Sequence, residues 1–240
     1  MRIASASEDT SVQVWDATNR NNLFLYKGHS ATVLAIDWSP LGDYIASASE
    51  DHTVQVWNPT LTSNYQFTYI GHKDIVTDVA WSPDGKYIAS TGEDNTTIVW
   101  DTTGKIQHTL VHDDNAMMIV SSLAWSHDSN YIVTGDYNDK YSSVKIWNVS
   151  KESYIQIFKG TSGQQIYTVA WSPNSKYIAA GGLDTQVRIW DAATGELVPT
   201  HTSHNQPIMS VQWSHDSKNI VSSSFDKTVQ IWTMPDVVTR

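Results

Sequence analysis

Histidine, serine and aspartate recur in this chain in an order that could support nucleophilic acyl chemistry. His29, Ser49 and Asp51 follow one another, and His204, Ser224 and Asp226 repeat the same spacing. In a hydrolase such a set supplies base, nucleophile and orienting carboxylate. That chemistry needs one unique site with an exposed nucleophile and an oxyanion hole. Here the set recurs along the chain with a tryptophan at a fixed distance downstream, so a structural role is the better reading. Metal chemistry has little support. His108 and His112 are four apart on a strand pattern, which is not the helical ligand pair. His127 and His215 occupy the proline slot of a surface turn. No Gly-x-Gly-x-x-Gly or Walker pattern is present, so neither a metal nor a cofactor is expected. No residue is expected to be catalytic, and the chain is expected not to be an enzyme.

Composition narrows the field further. The chain has 240 residues, no cysteine and 11 tryptophans, with 15 basic against 25 acidic side chains and a net charge of −10. The lack of cysteine excludes disulfides, zinc–thiolate and iron–sulfur sites, and a thiol nucleophile. It also suits a reducing compartment, and a cytoplasmic location is expected. The acidic balance argues against a nucleic-acid partner, because duplex binding draws on clustered Lys and Arg. No window approaches the ~18 consecutive apolar residues of a membrane span.

The tryptophans are placed by a repeat. Trp38, Trp81, Trp125, Trp171 and Trp213 each begin a Trp-Ser-Pro/His segment, at spacings of 43, 44, 46 and 42. Trp15, Trp57, Trp100, Trp147, Trp190 and Trp232 each end a β-branched run, at spacings of 42, 43, 47, 43 and 42. Together they account for all 11. A fixed period of this length marks a repeat architecture. Within one period the texture is all β: the run Thr32 to Trp38, a turn, the alternating Tyr44 to Ser49, the run Thr53 to Trp57, and Tyr65 to Ile70. Four short strands joined by tight turns make one antiparallel meander. Tyr44, Tyr87, Tyr131 and Tyr177 recur at one repeat position as packing residues, and Gly181-Gly182 relieves packing within a strand.

These residues resemble the WD-repeat β-propeller family. The motifs that carry the resemblance are Gly28-His29 and Gly71-His72, the segment Trp81 to Lys86, and the Trp-Asp ends Trp15-Asp16, Trp100-Asp101 and Trp190-Asp191. The resemblance runs from Ile3 to Trp232. It implies an all-β fold, a β-propeller of about six four-stranded antiparallel blades around a central channel. The expected organisation is a single domain over 1–240, with blades near 1–30, 31–71, 72–112, 113–160, 161–203 and 204–240. The first blade lacks its inner strand, which leaves an incomplete ring, a larger ring, or two chains completing one another as a homo-oligomer.

The resemblance also implies a hydrogen-bonded set inside each blade. It maps onto His29, Ser49, Asp51 and Trp57, and onto His204, Ser224, Asp226 and Trp232. Another blade offers His72, Asp94 and Trp100 with Gly92 at the serine position. The fifth keeps Asp184 and Trp190, with Thr161 for histidine and Gly182 for serine, and the first offers Ser7, Asp9 and Trp15. The fourth departs most. Its His112 stands further from Trp125, and its turn from Asp136 to Ser143 is longer.

Members of this family commonly bind proteins on the face that carries the turns between the two middle strands. Three positions per blade point there. The first gives Glu8, Glu50, Glu93, Leu183 and Phe225. The second gives Thr32, Ile75, Ile119, Gln165 and Pro207, and the third gives Leu34, Thr77, Ser121, Tyr167 and Met209. Carboxylates come from the first three blades; Tyr167, Leu183, Met209 and Phe225 come from the last two. The expected function is a non-enzymatic scaffold for a protein or peptide that carries basic and apolar groups, with no nucleic acid or membrane involved. The alternatives are a sensor or regulatory segment of a longer multidomain protein and a propeller-based hydrolase.

Overall fold

The computed structural model describes residues 1–60, 65–112, 118–159, 164–199 and 204–234. Among them the chain is all β, apart from a single 3₁₀ turn at Val149–Lys151. It divides into two compact units, Met1–Val120 and Ser121–Arg240.

The first unit holds three antiparallel sheets. One has three strands: β1 (Arg2–Ala6), β2 (Val12–Asp16) and β3 (Asn22–Tyr26). The next two have four each: β4 (Val33–Trp38), β5 (Ile45–Ser49), β6 (Thr53–Trp57) and β7 (Tyr65–Ile70), then β8 (Val76–Trp81), β9 (Tyr87–Gly92), β10 (Thr96–Asp101) and β11 (Ile106–Val111). The second unit begins within β12 (Ile119–Trp125), which pairs in order with β13 (Tyr131–Tyr137), β14 (Ser142–Asn148) and β15 (Ser153–Lys159). A fifth sheet follows with β16 (Ile166–Trp171), β17 (Tyr177–Gly182), β18 (Arg188–Asp191) and the two-residue β19 (Leu197–Val198). The sixth contains β20 (Ile208–Trp213), β21 (Asn219–Ser224) and β22 (Val229–Thr233). The segment expected to supply its fourth strand lies, after Met234, outside the described residues, as does Thr161.

Within each unit the core lies between successive sheets. Val12, Val14 and Tyr26 of the first sheet pack on Val33, Ile45 and Trp57 of the second. Val54, Val56 and Tyr69 of the second pack on Val79, Trp81 and Ile98 of the third. In the second unit Val144, Ile146 and Phe158 pack on Ile166, Val169 and Ile178, and Ile189 and Ala179 on Ile208, Val211 and Ile220. The last strand of one sheet sets an aromatic ring against the tryptophan of the next. Tyr26 stacks on Trp57 with ring centroids 4.3 Å apart, Tyr69 lies 4.8 Å from Trp100, and Phe158 lies 4.9 Å from Trp190. Such offset pairs add about 0.5–1.5 kcal/mol each beyond their buried area. The repeated tyrosines play the same part: Tyr131 lies 6.4 Å from Trp171 and Tyr177 6.1 Å from Trp213. At Gly182 a Cβ would stand 1.9 Å from the Gln165 carbonyl oxygen, so the strand crosses there only without a side chain.

A polar tie also joins the second and third sheets. The Asp37 carboxylate on β4 accepts a hydrogen bond from the Trp81 backbone N–H on β8 at 2.7 Å. Burial pushes the Asp37 pKa up to about 7; the Trp81 N–H opposes this, and the charge of Asp78 adds to it. The folded pKa lies above the unfolded value, so the protonated form is the stabilised one, and its contribution is lost as pH rises through about 7. Asp37→Asn, which keeps an acceptor and removes the charge, is expected to raise stability at pH 8 by about 1–3 kcal/mol. The gain should vanish near pH 4, as read by urea melts at both pH values.

Candidate functional site

The side chains flagged as possible chemistry form a buried relay. On the second sheet the Trp57 indole N–H donates to the Ser47 hydroxyl at 3.3 Å. That hydroxyl lies 2.8 Å from His29 Nε2, and His29 Nδ1 lies 2.8 Å from an Asp51 carboxylate oxygen. A carboxylate only accepts, so Nδ1 carries the proton, and Nε2 accepts from Ser47. Burial pushes the His29 pKa down against the pull of Asp51, which keeps the ring neutral. The same relay joins Trp100, Ser90, His72 and Asp94, with contacts of 2.9, 2.7 and 3.0 Å. A third copy joins Trp232, Ser222, His204 and Asp226, with contacts of 3.0, 2.8 and 2.8 Å.

The serine assignment from sequence is corrected here by two residues. Ser49 and Ser224 were expected to close the network, with Gly92 in the vacant equivalent place. Ser47, Ser90 and Ser222 close it instead. Ser49 and Ser224 bond backbone instead, each accepting the N–H of Asp51 or Asp226 at 3.1 Å and donating to the carbonyl of Ala31 or Gln206 at 3.2 or 2.9 Å. In the first sheet the hydroxyl under Trp15 is that of Ser5, at 3.2 Å, while Ser7 accepts from the Asp9 N–H. Residues i and i+2 of a strand share a face, so alternation alone cannot separate Ser47 from Ser49. The Ile45↔Trp57 register does.

Two sheets replace the histidine with a cation. On the fourth, Trp147 donates to the Thr134 hydroxyl at 2.9 Å, and buried Asp136 pairs with buried Lys145 at 2.6 Å and with the Ser143 hydroxyl. On the fifth, Arg188 pairs with Asp184. Lys145 and Arg188 each stand two residues before their tryptophan, where Gln55 and Gln230 stand in the second and sixth sheets. His112 bonds the Thr97 hydroxyl at 2.9 Å. The Ser47 hydroxyl is fully buried and already engaged on several sides, so it cannot meet an outside substrate as a nucleophile.

The aspartate of each relay also holds a surface turn. Asp51 accepts from the Thr53 N–H and hydroxyl, Asp94 from those of Thr96, and Asp226 from those of Thr228. The residues between them, His52, Asn95 and Lys227, sit at φ of 67°, 66° and 68°, a left-handed conformation that costs a non-glycine residue about 1 kcal/mol or more. Burial pushes Asp94 up, but the His72 bond and charge and the Lys73 and Thr96 donors outweigh it and hold its pKa at about 2.

These turns present the residues read from sequence as partner-binding. The backbone N–H groups of Glu50, Glu93, Leu183 and Phe225 donate to the carbonyls of Thr32, Ile75, Gln165 and Pro207 at 2.9–3.0 Å. The first and second positions are therefore locked together in four sheets. The third position coincides with a break in pairing: the ladder skips Leu34, Thr77, Tyr167 and Met209, each a β-bulge. A bulge re-aims its side chain out of the pleat.

In the first unit this surface is acidic. Glu8 and Glu50 are exposed, and the Glu93 pKa is raised by burial and by the charges of Asp74 and Glu50, which places those three carboxylates together. Asp74, with His52 3.9 Å away, was not singled out in the sequence because it lies off the three repeat positions. In the second unit the surface is apolar: Leu183 is 41% exposed, Met209 43% and Phe225 62%. Tyr167 is half-buried, its ring 6.1 Å from Tyr137 and its hydroxyl donating to Gln165 at 2.8 Å. Ser121 is tied down, bonding the Gly135 and Ile166 carbonyls at 3.1 and 2.6 Å.

Comparison with known proteins gives two family models. One described as the WDR19 first beta-propeller matches residues 77–237, and one described as the WD domain, G-beta repeat, matches 20–58. A bromodomain and WD repeat-containing protein of Dictyostelium discoideum is 33% identical over 79 residues, 32% of this chain and 3% of the relative. A coronin-like protein of Saccharomyces cerevisiae is 33% identical over 94 residues, 38% of this chain and 13% of the relative. The mouse F-box-like/WD repeat-containing protein TBL1X is 29% identical over 96 residues, 40% and 17% respectively. The chain thus aligns with a small part of each of these longer proteins.

Removing the relay hydroxyl strands the buried His29 and Trp57 nitrogens, whereas removing its neighbour releases only the part-buried Asp51 N–H and Ala31 carbonyl. Ser47→Ala is expected to cost about 2–4 kcal/mol and Ser49→Ala about 1 kcal/mol. Chemical denaturation of both variants tests this, and equal losses would refute the assignment of Ser47.

Proposed function

Because the chain belongs to the WD-repeat β-propeller family, we propose that it is a non-enzymatic scaffold that binds a protein partner on the surface formed by its middle hairpin turns and bulges. The observation that carries this reading is the recurrence, in four sheets, of a turn residue whose backbone N–H is locked to an inner-strand carbonyl two residues before a bulge. It sets Glu50 and Glu93 at the surface of the first unit, where Glu8 is exposed on the matching turn of the first sheet, and sets exposed Leu183, Met209 and Phe225 with half-buried Tyr167 at the surface of the second. In the second unit the large apolar side chains suit the desolvated part of an interface, and in the first the carboxylates suit the steering of a basic segment. The first unit's turns call for Lys or Arg on what they bind, and the second unit's for apolar groups. A second reading, that the chain is the recognition part of a longer multidomain protein, draws on the small share of each relative that it matches.

The test is affinity capture from extracts of the source cells with wild-type and variant chain. Tyr167→Ala with Phe225→Ala is expected to reduce the recovered partner at least tenfold with the melting temperature little changed. Glu50→Lys with Glu93→Lys should slow association and flatten its salt dependence. Undiminished recovery by the Tyr167/Phe225 variant would count against this surface.

A further inference from the structure

The second and third sheets leave an open groove of about 500 Å³ between their Trp-Ser-Pro turns. Its walls are Pro40, Leu41, Tyr44, Phe67 and Pro83, and its polar border is Asp43 and Asp84. Successive hairpin turns of an antiparallel sheet alternate between its two ends. This groove therefore lies at the opposite end of the strands from Glu50 and Glu93, and a ligand held there is independent of the turn-and-bulge surface.

The groove is where the chain breaks its own turn rule. In four of the five Trp-Ser turns, the serine hydroxyl donates to an Asp or Asn two residues on: Ser82 to Asp84, Ser126 to Asp128, Ser172 to Asn174 and Ser214 to Asp216, at 2.6–2.7 Å. The same acceptor takes the backbone N–H of Lys86, Asn130, Lys176 or Lys218 at 3.0–3.1 Å. In the turn bordering the groove that position is Leu41, which can make neither bond. Its side chain is 88% exposed. Ser39 accepts the Tyr44 N–H at 3.0 Å, as the other four serines accept the N–H five residues on, and it also takes the Asp43 N–H at 3.2 Å. A second reversal lies two residues on, where Asp43 occupies the position of Lys86, Lys176 and Lys218. Asp43 makes no ion pair among the described residues, whereas Asp84 is paired with exposed Lys86 at 3.0 Å. Local rules fail where function overrides them, and here two substitutions, polar to apolar and basic to acidic, fall on one rim.

We propose that this groove docks a peptide segment of a partner protein that buries an aliphatic or aromatic side chain against Leu41, Pro40 and Pro83 and sets a Lys or Arg against Asp43. With Asp84 balanced by Lys86, the Asp43 carboxylate sets the sign of the rim and disfavours phosphate-bearing ligands and acidic peptides. Leu41 stands on the rim rather than the floor, so a ligand must spread over the edge to cover it, which a small molecule within the groove does not do. The turn is braced to receive such a partner, with the Arg2 guanidinium donating to the Gly42 carbonyl at 2.8 Å and lying 5.1 Å from the Trp38 ring.

The experiment pans a random heptapeptide phage library on the whole chain. It then measures fluorescein-labelled copies of the enriched sequences by polarisation against variants. The expected consensus is a large apolar residue next to Lys or Arg. Leu41→Asp restores the turn chemistry of the other four repeats and so is expected to fold, and it should weaken binding at least tenfold. Asp43→Lys should do the same, with binding recovered by a peptide whose Lys or Arg is changed to Glu. No enrichment, an acidic or wholly polar consensus, or undiminished binding to Leu41→Asp overturns the proposal. Loss of binding in Tyr167→Ala/Phe225→Ala but not in Leu41→Asp overturns it too, while favouring the separate surface.

Discussion

A buried indole carries one hydrogen-bond donor, and in five of the six sheets a hydroxyl on the neighbouring strand is placed to meet it, the fifth sheet having Ala180 there. Trp57, Trp100 and Trp147 are almost wholly enclosed, so an unmet N–H would cost about as much as the packing of a small side chain contributes. A hydroxyl on the neighbouring strand meets it. In three repeats the hydroxyl turns to a histidine, the histidine to an aspartate, and the aspartate to the backbone of a surface turn. The chain of donors thus runs from the core to the outer face, and the side chain exposed at the turn owes its position to a bond several links inside.

The repeats differ in which link they alter. An aspartate is paired with a cation in the fourth and fifth sheets, Asp136 with Lys145 and Asp184 with Arg188, although Asp136 stands at the register position of Ser49 rather than that of Asp51. Both cations rise from the third strand, two residues before the tryptophan, so the replacement comes from within the same sheet instead of from the preceding connection. A buried ion pair gains little over an apolar pair of the same size, because desolvation offsets its attraction. Its value here is geometric: Asp136 and Asp184 each retain a fixed cationic partner without a histidine. The two units therefore share a plan while relying on different chemistry.

Much of this was legible in the sequence because tryptophan is rare and its spacing is rigid. The period gave the strand order and the turns, and the resemblance gave His29, Asp51 and Trp57 with their counterparts. Ser47 was missed because a strand places every second residue on one face, and only cross-strand register chooses between equals. Lys145 and Arg188 were missed because a charged residue in a strand usually reads as solvent-facing. Asp37 and Leu41 escaped for a different reason. Each departs from its counterparts in the other repeats, and such a departure shows its meaning only once the neighbouring sheet is in view.

The bulges at Leu34, Thr77, Tyr167 and Met209 lie outside the ladder pairing that defines their sheets. The residue occupying such a position can change in size, charge or polarity while the surrounding strand keeps its partners. A lineage carrying this fold can therefore exchange the letters it displays without rewriting the scaffold that displays them, and recognition becomes free to drift where architecture is held still.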